Sequence, residues 1–224
     1  IAPRCYESWL PKRRHVRYAG YHELAYLRKN VFSPDENIAI KSGIKTDKDN
    51  FLIRLVSWQA NHDVGENGFS TELTQQLVTK LASLGNVMIT SESGLPNSLR
   101  GYEYTGDISN MHHVLAHCRL YVGESATMAS EAAVLGVPAL YVANTGRGYT
   151  NEQESRYALV KNVVELKWDK INAAIEQMLL LSKEKIAKKR ATLLKDTVDV
   201  SDFIVECVES YPQFLNVYQQ SEGV

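Results

Sequence analysis

Two short apolar runs flank a helix-like segment between residues 119 and 144. The runs RLYV (119–122) and PALYV (138–142) are typical of buried strands. The segment between them, ESATMASEAAVLG, has the small and apolar residues of a helix that packs on a sheet. Two buried strands joined by one helix predict a right-handed βαβ unit, which belongs to a parallel sheet.

The alternation of strands and helices continues on both sides of this unit. Apolar runs at 51–58, 86–92 and 162–166 predict three further strands, and residues 102–107 predict a strand or a turn. Helices are predicted after Ser70, with Gly85 closing the first of them, at 108–118, and from about Asn151 after a glycine-rich loop at 145–150. This order predicts an α/β fold: a doubly wound, Rossmann-like parallel sheet with extra C-terminal helices.

Composition shifts divide the chain into three parts. Residues 1–37, with three prolines and a basic run, are expected to be a linker that is too apolar to be a free tail. Residues 38–182 are expected to form a ligand-binding α/β domain, and 183–224 a set of helices that pack on it, with breaks near Ser182 and before Pro212. The chain does not begin with methionine, and we expect it to be part of a longer protein.

The net charge, the hydropathy and the cysteines of the chain argue against several classes of function. The 224 residues carry a formal net charge of −1, which gives no electrostatic case for binding nucleic acid or an anionic membrane. No apolar run approaches the roughly 18 residues that a spanning helix needs, so no membrane span is expected. The three cysteines are far apart and form no CxxC pair, which indicates free thiols in a reducing, cytoplasmic setting.

Ligands of a doubly wound sheet bind at the carboxyl ends of its strands, where several loops of this chain should meet. At the N-terminus of the central helix, the free amides around Ser125, Ala126 and Thr127 would face an anion such as a phosphate. Glu131 lies four residues after Thr127, on the same helix face. This spacing suits a nucleotide, with the diphosphate at the helix tip and the ribose hydroxyls on the glutamate. Other polar residues on these loops are His62, Asp63, Glu66, Ser91, Glu92, Arg147 and Glu152.

The helix tip and the first loop also have plainer interpretations. Ser125 could be an ordinary helix cap and Glu131 a solvated side chain. His62 could transfer a proton or contact a phosphate, with Asp63 orienting it. Adjacent side chains usually point apart, however, and the aspartate could instead make a turn hydrogen bond.

The remaining candidate site residues also have more than one interpretation. Glu92 could be a base or a solvated strand end, and Arg147, in the same loop as Thr150, could contact a phosphate or simply be exposed. His113 and His117 lie four residues apart on a predicted helix, but no carboxylate or cysteine joins them at a ligand spacing. We therefore expect helix-surface histidines and no metal site.

The segment 123–142 resembles the nucleotide-binding helix of UDP-N-acetylglucosamine 2-epimerases and other GT-B-fold proteins, where TDSGG…QEEA takes this place. The resemblance implies that residues 125–127 bind the diphosphate and Glu131 the ribose. The loop NHDVGEN resembles the epimerase HRREN loop, which implies that His62 and Glu66 lie near the nucleotide sugar. YTGDISNM resembles the segment that reads the uracil, which implies that Ile108 lies against the base, and TNEQE (150–154) resembles the epimerase TERPE segment.

A closer resemblance is to an uncharacterised family of prokaryotic GT-B-like proteins, known only as a domain of unknown function. The shared segments occur in order: GYHELAYL, FSPD, RLVSW, HDVGENG, ITSE and GESATMASEAAVLGVPA. Two departures from the epimerases are Ala126 and Thr127 in place of two glycines, and the lack of paired arginines in the first loop. Family members have an N-terminal Rossmann-like half, which implies that this chain is the C-terminal half.

The resemblance implies the nucleotide-diphosphate-sugar-binding half of a glycosyltransferase or sugar-nucleotide epimerase, with a UDP-sugar as ligand, no required cofactor and a place in polysaccharide biosynthesis. A base would come from the missing half, from His62 or from Glu92. The alternative is a non-catalytic module that binds a nucleotide or a partner. Its apolar segment 16–32 would then be exposed or mediate dimerisation.

Overall fold

A computed structural model describes residues 1–6, 15–57 and 68–213. Two short parallel strands, β1 (Ala2–Pro3) and β2 (Arg17–Tyr18), pair near the N-terminus. The main sheet has five strands, all parallel: β3 (Asp49–Leu55), β4 (Gly85–Ser91), β5 (Leu120–Gly123), β6 (Ala139–Val142) and β7 (Val160–Val163). Their order across the sheet is β4-β3-β5-β6-β7, which confirms the predicted α/β fold class.

The helices cover both faces of this sheet. They are α1 (Leu24–Leu27), α2 (Glu36–Lys41), α3 (Thr71–Ala82), α4 (Met111–Ala116), α5 (Ala126–Leu135), α6 (Gly148–Glu152), α7 (Trp168–Leu179), α8 (Lys183–Lys195) and α9 (Val200–Glu209). Short helical turns precede α4 at Ile108–Asn110 and follow α6 at Gln153–Tyr157. Among the described residues, no helix has the length and apolar character needed to cross a bilayer.

The predicted βαβ unit is β5-α5-β6, and its ends are set by local sequence signals. The Ser125 hydroxyl oxygen caps α5 by accepting a hydrogen bond from the Met128 amide. Gly136 ends the helix with φ +84°, a conformation that glycine adopts without the steric cost of a Cβ atom. Ser70 and Ser182 cap α3 and α8 in the same way as Ser125.

Several predicted boundaries differ from the structure. Gly85 opens β4 instead of closing the preceding helix, and a Cβ there would collide with the backbone of Asp49 on the paired strand. Residues 102–107 form no strand; Glu103 makes only a single bridge to Ile89. Helix α6 begins at Gly148, before the predicted Asn151, and β7 begins two residues earlier than predicted.

The core has two parts, one on each face of the sheet. Phe51 and Ile53 of β3 point to the face covered by α3 and α7, whereas Leu52 between them points to the face covered by α4, α5 and α8. This alternation follows from the two-residue period of a strand. The α5 face also takes up the N-terminal segment, whose Tyr18 and Tyr21 are almost completely buried. The predicted division of the chain into three parts stays a prediction.

Candidate functional site

The turn between β5 and α5 is held by close packing at the carboxyl edge of the sheet. A Cβ at Gly123 would lie 2.7 Å from the Arg54 carbonyl oxygen of β3 and 2.6 Å from the Tyr121 hydroxyl. That hydroxyl donates a 3.1 Å hydrogen bond to the Ser125 carbonyl. Burial raises the pKa of Tyr121 well above its ordinary value, so the group remains a donor. The turn therefore presents α5 in a fixed orientation.

The first amides of α5 face this edge. The Met128 amide donates to the Ser125 hydroxyl at 3.3 Å, and the Ala129 amide donates to the Ser125 carbonyl at 3.0 Å. The amides of Ala126 and Thr127 have no acceptor within the helix, as is usual in a first turn. Ala126 is buried, so only its backbone can meet a ligand, whereas the Thr127 side chain is exposed. The helix tip has the groups needed to bind an anion.

The loop after β6 adds a hydroxyl and a cation beside this tip. The Thr127 side chain lies close enough to the Tyr149 hydroxyl to act on its pKa. Burial raises the pKa of Tyr149, while the nearby charges of Glu23 and Arg147 act on it in opposite directions. The Arg147 guanidinium donates to the Thr145 hydroxyl at 3.0 Å. Tyr149 thus lies beside the N-terminus of α5, and the charge of Arg147 acts on Tyr149 from the same loop.

Thr150 lies in the same loop, and its predicted contact with the ligand stays a prediction. Its side chain is fully buried, and its hydroxyl donates to the Arg147 carbonyl at 3.0 Å. Its carbonyl accepts a hydrogen bond from the Asn162 amide group on β7 at 3.2 Å. Thr150 therefore supports the loop that carries Arg147.

Glu131 lies one turn inside α5 and is only 7% exposed. Its Oε1 atom accepts a 2.9 Å hydrogen bond from the Tyr26 hydroxyl and lies 3.0 Å from His112 Nε2 on α4. An ionised carboxylate has no donor, so His112 presents Nε2–H to it. Two side chains from distant parts of the chain therefore fix the orientation of the carboxylate.

An aromatic surface surrounds this carboxylate. The His112 ring lies 5.7 Å from the Tyr26 ring and 6.0 Å from the Phe32 ring, measured between centroids. Ile108, four residues before His112, is 67% exposed on the turn that leads into α4. Flat apolar groups beside a fixed carboxylate offer complementary contacts to a nucleoside, whose base is flat and whose ribose carries hydroxyls.

A second glutamate is buried behind Glu131. Glu23, just before α1, is 6% exposed, and its carboxyl group lies close enough to the Ser130 side chain of α5 for that side chain to act on its pKa. Burial raises its pKa to about 7, and the charge of Glu131 adds to this rise. The Ser130 hydroxyl also accepts a 2.8 Å hydrogen bond from Gln153. The polar residues of α5 are thus tied to the N-terminal segment and to the turn after α6.

Glu92 follows β4 and is held by three hydrogen bonds. Arg54 donates to Oε1 at 2.7 Å, and the Ser57 amide and hydroxyl donate to Oε2 at 3.0 and 3.2 Å. The hydrogen bond from the Ser57 amide is the main cause that lowers the pKa of Glu92, and Arg54 contributes. A carboxylate with a lowered pKa is a weak proton acceptor. These contacts favour a positioning role for Glu92; its catalytic role stays a prediction.

Glu124, immediately after β5, was not predicted as a functional residue. It is 4% exposed, and its carboxylate accepts hydrogen bonds from the backbone amides of Val56 at 2.9 Å and Phe69 at 2.5 Å. Glu92 and Glu124 therefore hold the two ends of the segment between residues 56 and 69. The predicted site residues in that segment lie outside the described residues: His62, Asp63 and Glu66.

The paired histidines of α4 have structural contacts. His113 Nδ1 accepts the Asp35 amide hydrogen at 2.9 Å, and His117 Nδ1 lies 2.8 Å from the His113 carbonyl. Within residues 1–6, 15–57 and 68–213, no cluster of three or more histidine, cysteine, aspartate or glutamate side chains could hold a metal ion.

Sequence reasoning missed Tyr26 and His112, both of which contact Glu131. Tyr26 belongs to the aromatic segment GYHELAYL, in which no single side chain is marked by a motif. His112 belongs to no motif either, whereas His113 and His117 next to it have a spacing that can hold a metal. The usable signal was the position of His112 four residues after Ile108, a spacing that puts both side chains on the same side of a helical segment.

Comparison with known proteins identifies the fold. No protein-family model and no curated protein matches the chain. The fold is similar to that of a putative UDP-N-acetylglucosamine 2-epimerase from Listeria monocytogenes, with 14% identity and a TM-score of 0.55 over 87% of this chain and 53% of that one. It is also similar to CalG4, the calicheamicin glycosyltransferase, with 17% identity and a TM-score of 0.52 over 75% of this chain and 44% of that one.

The chain spans about half the length of these solved structures. Identities this low establish the fold alone. These two structural neighbours are a glycosyltransferase and a putative UDP-N-acetylglucosamine 2-epimerase, so the predicted GT-B-like relation is confirmed at the level of the fold. Membership of the uncharacterised prokaryotic family and the assignment as a C-terminal half stay predictions.

Proposed function

We propose that this chain binds a nucleotide-diphosphate sugar of the UDP-sugar class, as part of a glycosyltransferase-like or epimerase-like protein. The observation that carries the proposal is the Glu131 carboxylate, held by Tyr26 and His112 one turn inside the helix whose first amides have no acceptor within the helix. The fold and the names of its structural neighbours support the same ligand class.

Each part of such a ligand has a counterpart at this edge. The diphosphate would accept hydrogen bonds from the Ala126 and Thr127 amides, with the positive end of the helix dipole and Arg147 opposing its charge. The ribose hydroxyls would donate to Glu131. The base would lie against Ile108 on the exposed turn before α4.

The chemical role of the helix tip would be to stabilise negative charge on the diphosphate. In a transferase this group leaves, and in an epimerase it is the handle by which the sugar is held, so either reaction gains from fixed donors at this position. A proton acceptor would still be required. Because Glu92 is held as a low-pKa carboxylate, His62 and residues beyond this chain are the better candidates.

A binding module without catalysis is the second candidate function. It is favoured by one observation: the chain spans about half of its solved structural neighbours. Such a module would bind the nucleotide or a partner protein without turnover. Incubation with UDP-N-acetylglucosamine, followed by analysis of released UDP and of epimerised sugar, separates the two candidates.

Calorimetric titration tests the ligand class. UDP and UDP-N-acetylglucosamine should bind, and uridine, which lacks phosphates, should bind at least tenfold more weakly. Glu131→Gln should weaken UDP binding by about tenfold, because the substitution removes the charge from one charge-assisted hydrogen bond. Glu154→Gln is the matched control, because Glu154 is also partly buried and hydrogen-bonded, to Lys161 and Asn162 on β7. Absence of binding by any nucleotide would overturn the proposal.

A further inference from the structure

A basic cavity lies at the opposite edge of the sheet, where the strands begin. It has a volume of 460 Å³ and is bordered by Asp49 at the start of β3, Arg119 before β5 and Pro138 before β6. This volume is in the range of small-molecule sites, about 300–1,000 Å³. The cavity shares no lining residue with the candidate nucleotide site.

Positive charge dominates its lining. Five basic side chains border the cavity, against the two carboxylates of Glu36 and Asp49, which leaves a net of three positive charges on a chain whose own net charge is −1. Within the described part of the chain, none of the five forms an ion pair. They are Lys45, Lys48, Arg119, Lys183 and Arg190.

The two arginines of the cavity donate hydrogen bonds to backbone carbonyls near the C-terminal ends of helices. Arg119 Nη2 donates to the carbonyls of Leu179 and Leu181 at 2.6 and 2.8 Å, while its Nη1 is buried without a hydrogen-bond partner. Arg190 Nε donates to the Val134 carbonyl at 2.9 Å, and burial lowers its pKa. Both guanidinium groups are thus half-buried, and neither forms an ion pair with a carboxylate of the described residues.

Helix dipoles do not cancel this charge. The C-terminal ends of α4, α5 and α7 lie at this edge, and each counts for about half a negative charge. The N-terminal end of α8, where Lys183 lies, contributes about half a positive charge. The helix ends together therefore offset only about one of the three excess positive charges.

We infer that this cavity binds a small, multiply phosphorylated anion. The exposed ammonium groups of Lys45, Lys48 and Lys183 come from two separate segments and can each approach a different phosphate oxygen. Ile44, Leu135 and Ile186 form an apolar wall for the organic part of the ligand. The inference does not depend on the proposed nucleotide-sugar function, because the two sites occupy opposite edges of the sheet.

Titration calorimetry at low salt with inorganic tripolyphosphate, and separately with ATP, tests the inference. The double variant Lys45→Glu/Lys48→Glu should weaken binding at least tenfold. The control Lys167→Glu/Lys170→Glu reverses the same number of charges at exposed lysines that do not line the cavity, and should change affinity by less than twofold. Tighter binding of ATP than of tripolyphosphate identifies organic phosphates as the source, and equal binding identifies inorganic polyphosphate.

Two results would overturn the inference. The first is that neither tripolyphosphate nor ATP binds to the wild-type chain. The second is an equal loss of affinity in the two double variants, which would show that only the overall charge matters or that the anion binds elsewhere, for example at the tip of α5. The four substituted lysines are exposed, so thermal melting should show that both variants fold.

Discussion

The Tyr26 hydroxyl donates a 2.9 Å hydrogen bond to Glu131 Oε1, although the two residues are 105 positions apart in sequence. His112 holds the same oxygen from α4. With one oxygen held on both sides, the carboxylate has little freedom to rotate. A carboxylate fixed before ligand binding loses less entropy when it accepts hydrogen bonds from a ribose.

Removal of the Tyr26 hydroxyl should reduce discrimination between ribose and deoxyribose. We expect wild-type protein to bind UDP more tightly than 2′-deoxy-UDP, and Tyr26→Phe to lower this affinity ratio by about threefold to tenfold, because one hydrogen bond is worth about 1 kcal/mol. The measurement is the pair of dissociation constants for each variant. Tyr21→Phe is the control, since it removes a similar 3.0 Å bond to Glu152. An equal loss of affinity for both nucleotides would indicate a purely structural role.

Glu23 should make the protein less stable as the pH rises. Its pKa is about 7 in the fold and 4.5 in the unfolded chain, so the folded state binds more protons between these values. Its contribution to the free energy of unfolding therefore begins to fall at about pH 4.5 and levels off above about pH 7. The total fall is about 3 kcal/mol at most.

Glu23→Gln removes this titration while keeping a hydrogen-bonding group. Urea unfolding at pH 5 and pH 8 should show a smaller loss of stability for the variant than for the wild type over the same interval. The difference between the two proteins isolates Glu23 from the other titrating groups. Parallel curves would contradict the raised pKa.

Replacement of Glu124 should destabilise the carboxyl edge. Its carboxylate accepts two backbone amide hydrogens, whereas a glutamine has only one oxygen and would turn an NH₂ group toward one of the amides. Glu124→Gln should therefore lower the free energy of unfolding by about 2–3 kcal/mol. Exposed Glu165→Gln serves as the control and should leave the urea midpoint unchanged. Equal midpoints for the two variants would refute the anchoring role of Glu124.

Replacement of Gly123 by a larger residue should lower the free energy of unfolding. A Cβ atom would press against the Arg54 carbonyl and the Tyr121 hydroxyl, both of which are fixed in the sheet. Gly123→Ala should cost about 1–3 kcal/mol of stability. Gly101→Ala, at a position where a Cβ meets open space, is the matched control. Thermal melting of both variants checks this, and an unchanged melting temperature for Gly123→Ala would show that the turn can relax.

The β5-α5-β6 unit was predictable because its signals are local. The apolar runs mark the strands, and Ser125 and Gly136 mark the helix ends within a few residues of each boundary. The edge of the sheet at which a ligand is expected follows from the parallel topology alone. This part of the fold needs no knowledge of distant contacts.

The surroundings of Glu131 and Glu124 could not be predicted in the same way. Contacts such as Tyr26–Glu131 depend on how the N-terminal segment folds back over α5, which no short pattern encodes. The burial of Thr150 could not be predicted either, because a position in a polar loop gives no sign that the side chain is buried. Long-range packing decides each of these cases.

The central claim is tested most directly by a structure of the chain with UDP bound. The account predicts the diphosphate oxygens at about 3 Å from the amides of Ala126 and Thr127, and the ribose hydroxyls on Glu131. UDP bound elsewhere, with Glu131 contacted only by Tyr26 and His112, would contradict it.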